Sequence, residues 1–117
     1  MVQEVLGELQ VTRGVLASAL VAEDGIVVES LRADQAPDVY FLSGAAATAL
    51  ASARALSQEL ERGEVEEVMV EYPEGPVLLV PLEEGYLLVV LMDSMQSLGR
   101  VRFQLKKSVP RLKEALS

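Results

Sequence analysis

The 117-residue chain contains no cysteine, no histidine, no tryptophan and no asparagine. Without cysteine there is no disulfide, no thiol nucleophile and no thiolate ligand; without histidine, the commonest general base and metal ligand is missing too. Most constellations that support covalent or metal-assisted catalysis are thereby excluded. We expect no metal, no cofactor and no enzymatic activity of the chain's own. The acidic pairs Glu66-Glu67 and Glu83-Glu84 do not change this, because neighbouring strand residues point to opposite faces. There is no GxxxxGK[ST] stretch, so the chain does not hold a nucleotide as a P-loop protein does. No apolar run approaches the roughly 18 residues of a membrane span. The first residues carry Glu4 and Glu8 rather than a basic and then an apolar stretch, and the expectation is a cytoplasmic protein without membrane insertion.

Positive charge is also scarce. Ten Lys and Arg stand against eighteen Asp and Glu, a net charge of -8, which argues against nucleic acid as a partner. The imbalance is local. Residues 1–93 hold four basic and seventeen acidic side chains, whereas residues 94–117 hold six basic and one acidic. A basic C-terminal segment therefore follows an acidic body.

What is abundant is apolar: half of the residues are hydrophobic, enough for one domain over 1–117 with its own core. The stretch Gly44 to Ala53, GAAATALASA, has a single bulky residue, Leu50. Alanine loses no side-chain entropy on helix formation, so this run predicts the middle of a helix over about 38–60, with Pro37 before its first turn and Gly63 near its end. Val39, Leu42, Leu50, Leu56 and Leu60 are assigned to the core side, with Ala46, Ala49 and Ala53 between them. On the reverse side Tyr40, Gly44, Ala47, Ala51, Ala55 and Gln58 recur at intervals of three and four, the spacing of a narrow helix-packing seam. Alanine is also an ordinary filler on a solvated face. A solvated face in so acidic a chain would carry charge, however, and this seam carries none. A second helix packed against it is the better reading.

Val2 to Thr12 reads as a short amphipathic helix, and Ser94 as the N-cap of a long one ending the chain, with Arg100, Arg102, Lys106 and Lys107 among its polar residues. Pro110 predicts a kink or break. Between the helices lie five strands. Val15–Ala22, Val77–Leu82 and Tyr86–Met92 are nearly continuous apolar runs, whereas Ile26–Leu31 and Val65–Tyr72 alternate. Continuous runs belong to strands covered on both faces, and alternating ones to sheet edges. Short turns at Glu23-Asp24-Gly25, Pro73-Glu74-Gly75-Pro76 and Glu83-Glu84-Gly85 make the first two strands a hairpin and the last three a meander. Both constraints meet in an α+β fold, α-β-β-α-β-β-β-α, with a five-stranded antiparallel sheet of order 2-1-5-4-3. The Ala-rich helix covers one face, and the N- and C-terminal helices cover the other. Pro81 lacks an N–H and belongs at a strand end or bulge.

Taken together, ALVAEDGIVVES (19–30), the Ala-rich helix, VEEVMVEYPEGPVLLVPLEEGYLLVVLMD (65–93) and LGRVRFQLKK (98–107) resemble the roadblock/dynein-light-chain family, in particular its small prokaryotic MglB-like members. The resemblance spans essentially the whole chain and lies in the order and spacing of segments rather than in one motif. It implies a homodimer with paired central helices and sheets joined through the third strand, near Val68 and Val70. It also implies a non-enzymatic platform or regulator for a Ras-like small GTPase of MglA type. Arg32, Arg54 and Arg62 are the guanidinium groups such a regulator could offer to a phosphoryl-transfer site. Glu66, Glu67 and Glu71 fit the strand pairing only if they reach solvent or find partners. The basic side formed by Arg100, Arg102, Lys106 and Lys107 is a second candidate docking surface. The alternative function is a small-molecule sensor or adaptor of similar α-β-α layering, which needs an apolar cavity beneath the Ala-rich helix.

Overall fold

Two central strands with no polar side out fix the layout. The computed structural model describes all 117 residues. Along the chain lie α1 (Val2–Gln10), β1 (Val15–Ala22), β2 (Val27–Arg32), α2 (Ser43–Leu60), β3 (Val68–Val70), β4 (Val77–Pro81), β5 (Tyr86–Met92) and α3 (Leu98–Leu116). The strands form one antiparallel sheet in the order β2-β1-β5-β4-β3, as the strand character predicted. β1 and β5 meet at its centre, where almost every residue is buried.

Each face of the sheet has its own core. Val15, Leu20, Leu78, Val80, Leu88 and Val90 pack against Val5, Leu6 and Leu9 of α1 and Val101, Leu105 and Leu112 of α3. On the reverse face Ala17, Ala19, Val21, Leu79, Leu87 and Val89 meet Val39, Ala46 and Leu50. The second core is the thinner one, because α2 contributes only Ser43, Ala46 and Leu50 as buried residues. The buried polar groups on the α1–α3 side are satisfied. The Ser18 hydroxyl donates to Gln10 Oε1 at 3.0 Å, Gln10 Nε2 donates to the Leu16 carbonyl at 3.0 Å, and Gln104 Nε2 donates to the Ser108 hydroxyl at 3.0 Å.

The proline of β4 limits its edge neighbour at one end. β3 pairs with β4 only from Val68↔Leu79 to Val70↔Val77, shorter than the predicted 65–72. In that register Pro81 stands opposite Glu66 and has no N–H for the ladder, whereas the Pro76 carbonyl accepts from the Met92 N–H at 3.0 Å, so Pro76 faces β5 rather than β3. Pro81 is the last residue of β4, as expected. Gly75 is irreplaceable in the intervening turn: its φ is +121°, and a Cβ there would come within 2.2 Å of the Met92 carbonyl oxygen.

Four boundaries and one face differ from expectation. The chain does not enter α2 at Asp38. The Asp38 carboxylate accepts a hydrogen bond from the Tyr40 N–H at 3.0 Å and caps a single 3-10 turn, Val39–Phe41, and Leu42 (φ -123°) separates that turn from the helix. At the other end the left-handed cap is Glu61 (φ 52°), not Gly63, which lies two residues further on. A second 3-10 turn, Met95–Ser97, follows Ser94, whose side chain makes no capping hydrogen bond. α3 runs through Pro110 without a break. Pro110 and Lys106 are both exposed, so the carbonyl that Pro110 leaves unpaired is on the wet side of the helix.

The largest correction concerns Leu56 and Leu60, expected in the core but 62% and 57% exposed. The buried side of α2 is Ser43, Ala46 and Leu50, continued by half-buried Ala53 and Ser57. At about 100° per residue, Leu56 is turned roughly 120° from Leu50. The bulk of leucine suggested the wrong phase, and the small residues hold the right one.

Candidate functional site

Because α2 is anchored along a narrow line, most of its circumference is open. Of the predicted seam, Gly44, Ala51, Ala55 and Gln58 are exposed, Ala47 is half-buried, and Tyr40 is exposed in the preceding 3-10 turn. Part of this flank is hemmed in. Gly44 lies under the tip of the β1–β2 hairpin, where a Cβ on Gly25 would stand 3.3 Å from the Gly44 Cα, and Arg54 on the same side pairs with Glu23. The open face extends around the helix to Ala45, Thr48, Ser52, Leu56 and Leu60, with Phe41 at its head, 91% exposed.

Those six residues were missed in the sequence, for the same reason that Leu56 was assigned inward. The available signal was Phe41, a large aromatic that the 38–60 helix did not use on either face. Between Phe41 and Gln58 the exposed face carries no charge. Its middle is made of small side chains, and its bulky apolar ones stand at the two ends, Phe41 at one and Leu56 and Leu60 at the other.

The outer edge of β3 is open as well. Val68 lies with the α2-side core, Val70 shares that face by the two-residue period, and both are half-buried. The three carboxylates that argued against pairing are accounted for. Glu67 is bound by Arg102 of α3, with Nε to Oε1 at 3.4 Å and Nη2 to Oε2 at 2.5 Å, and Glu66 and Glu71 are exposed. These hydrogen bonds raise the Arg102 pKa above its ordinary value, with partial desolvation acting against the rise. The other sheet edge, β2, is interrupted by a register shift at Leu20/Val21 that leaves Val28 as an extra residue. A bulge of this kind twists an edge away from pairing, whereas β3 is regular over its length.

On the opposite side of the sheet, Arg100, Lys106 and Lys107 are exposed, and Arg102 is tied to Glu67. Arg111 donates to both oxygens of Glu8 at 2.7 and 2.8 Å, joining α3 to α1. Of the other guanidinium groups, Arg32 donates to the Ala36 carbonyl at 2.9 Å, Arg54 is engaged by Glu23, and Arg62 has no ionic partner. No three acidic side chains converge into a metal-binding group. A concavity of about 580 Å³ is an open groove between the end of α2, the β4–β5 turn and Lys113, with Arg54, Glu64 and Glu83 among its walls. The space directly beneath α2 is occupied by Val21, Leu79, Leu87 and Val89 packed on Val39 and Leu50. That is not the apolar cavity a small-molecule sensor requires.

A family model described as Roadblock/LC7 domain matches residues 1–92. The uncharacterized protein MJ0310 of Methanocaldococcus jannaschii is 33% identical over 113 residues, covering 97% of each chain. Among solved structures, Myxococcus xanthus MglB superposes with a TM-score of 0.88 at 23% identity, over 98% of this chain and 94% of its own. The gliding protein MglB of Thermus thermophilus superposes with a TM-score of 0.85 at 24% identity, over 97% and 86%. At these identities the likeness is one of fold.

Proposed function

Because this chain belongs to the Roadblock/LC7 family, we propose that it works as a two-copy, non-catalytic platform that recruits and regulates a Ras-like small GTPase. The observation that carries the reading is the open α2 face: uncharged, small in the middle, bulky at both ends and exposed beside an unpaired β3 edge. Residues Tyr40, Gly44, Ala51, Ala55 and Gln58 are one flank of the proposed interface. Phe41, Ala45, Thr48, Ser52 and Leu56 are its centre and other flank, and Val68 and Val70 lie on the strand joining the two sheets. The MglB structures with which the chain superposes include one described as a tetrameric arrangement, which supports self-association through this fold.

The chain has no phosphate-binding loop and no histidine or cysteine, so an effect on GTP hydrolysis would come from positioning the partner's own groups or from an arginine offered in trans. Arg62, the least engaged of the arginines considered for an in-trans role, is the side chain to test for a direct contribution. The experiment is retention of the source organism's small GTPases on the immobilised protein, in GDP-loaded and GTP-loaded forms, together with their hydrolysis rates. We expect retention of one nucleotide state over the other, with hydrolysis changed when the protein is added. Equal absence of retention in both states contradicts the proposal.

A further inference from the structure

In the two-copy arrangement, α2 and the β3 edge both meet their counterparts. The two-fold axis is then perpendicular to the sheets, because only that axis keeps both α2 helices on one side. Both α1–α3 layers therefore share the opposite side. Of the two helices, α3 is the one beside the axis: Arg102 reaches Glu67 next to β3, whereas α1 packs on β1 and β2. The solvent side of α3 carries Arg100, Phe103, Lys106 and Lys107, all exposed, and no carboxylate occurs between Ser94 and Lys113. Phe103 is 62% exposed, with Lys107 Nζ 4.6 Å from its ring centroid. Arg102 and Arg111 are neutralised by Glu67 and Glu8, but Arg100, Lys106 and Lys107 have no acidic partner. The other acidic groups on this side are Glu4 on α1, Glu29 of β2, which accepts from Gln3 at 3.0 Å, exposed Asp93, which accepts from the Ser97 hydroxyl at 3.2 Å, and Glu114 at the end of α3.

We propose that this face docks the protein onto an anionic lipid surface, with Arg100, Lys106 and Lys107 against headgroup charges and the Phe103 ring at the headgroup boundary. The inference rests on the two-copy reading, which places two identical basic patches side by side on one layer. Such a pair suits a plane better than it suits a single folded acidic partner. Charge complementarity orients the contact: the seventeen acidic residues of 1–93 outweigh their four basic ones, so an anionic surface repels the rest of the molecule and attracts this helix. The side of the sheets that carries the paired α2 helices is left pointing away from the lipid, towards the GTPase.

The test is cosedimentation of the full chain with vesicles of phosphatidylcholine alone or with about 30% phosphatidylserine, a composition that gives the strongly negative surface potential of anionic leaflets. We expect binding to the phosphatidylserine vesicles only, released on raising salt to roughly 0.5 M as the Debye length shortens. Lys106→Glu with Lys107→Glu should lower partitioning at least about tenfold, and Phe103→Ala by a smaller factor. Both variants change exposed side chains, and circular dichroism checks that they are folded. Failure of the wild-type chain to prefer phosphatidylserine, or undiminished binding by the double variant, overturns the inference, as does charge-dependent capture by an acidic protein in the absence of vesicle binding. Solution mass separates the two readings. A dimer that ignores the vesicles retains the platform and refutes the docking, and a monomer that binds them through Lys106 and Lys107 retains the patch and refutes the platform.

Discussion

Ser52→Arg is expected to turn the protein from a dimer into a monomer while leaving its secondary structure intact. Ser52 is exposed in the middle of the open α2 face. Arginine is the better helix former of the two, so the protomer loses nothing by the change. Across a two-fold interface each substitution occurs twice, and the extra bulk collides with the opposing small side chains. At about 1–3 kcal/mol per overpacked site, the cost is roughly 2–6 kcal/mol, or about thirtyfold or more in the dimer dissociation constant. Sedimentation and circular dichroism read the two halves of this expectation separately. The melting temperature should also lose its dependence on protein concentration, since that dependence belongs to association. A Ser52→Arg protein that sediments as the wild type removes α2 from the interface.

The second large effect is expected from the opposite side of the same helix. Leu50 is 1% exposed and is the only large side chain of α2 proper that is fully buried against the sheet. Leu50→Ala leaves a cavity in a core whose other contributors are largely alanine and valine, and such truncations cost about 2–5 kcal/mol. For a domain of this size that is a fall of on the order of 10 °C in melting temperature. Because the outer face of α2 is presented only while the helix is docked, dimer dissociation should follow the melting of Leu50→Ala rather than precede it. The two variants thus exchange their order of effects, Ser52→Arg losing mass at constant fold and Leu50→Ala losing fold first. Equal thermal stability of Leu50→Ala and wild type would mean that α2 is held by contacts other than the Leu50 anchor.

The strand order was legible because burial on two faces leaves a mark that burial on one does not. β5, with Leu87 to Met92 all buried, could not have been an edge, and the alternating Val27–Leu31 could not have been central. Pro81 was legible for an equally local reason, since a missing N–H has few places to go. The phase of α2 was not legible. Hydrophobic periodicity weighs residues by bulk, and in this helix the sheet-facing line is Ser43, Ala46, Leu50, Ala53 and Ser57, small because Ala17 and Ala19 of β1 hold the backbone close. Leu56, Leu60 and Phe41 were free to be exposed, and that exposure is the observation that widened the proposed interface beyond Tyr40, Gly44, Ala47, Ala51, Ala55 and Gln58. The length of β3 was hidden for a different reason. Pro81 ends its ladder from the neighbouring strand, and that follows only once the register is known. The pairing of Glu67 with Arg102 likewise joins residues 35 apart in sequence, beyond any local pattern.

The central claim, that two copies meet through the outer face of α2, is tested most directly by cross-linking. The chain has no cysteine, so a single Ser52→Cys is the only thiol present. Val11→Cys serves as control: Val11 lies at the end of α1 in the opposite layer and is 84% exposed. With a short bis-maleimide reagent at micromolar protein, the account predicts a covalent species of twice the 12.6 kDa chain mass for Ser52→Cys and none above background for Val11→Cys. A Ser52→Cys protein that stays at 12.6 kDa, or a Val11→Cys protein that cross-links as readily, contradicts it.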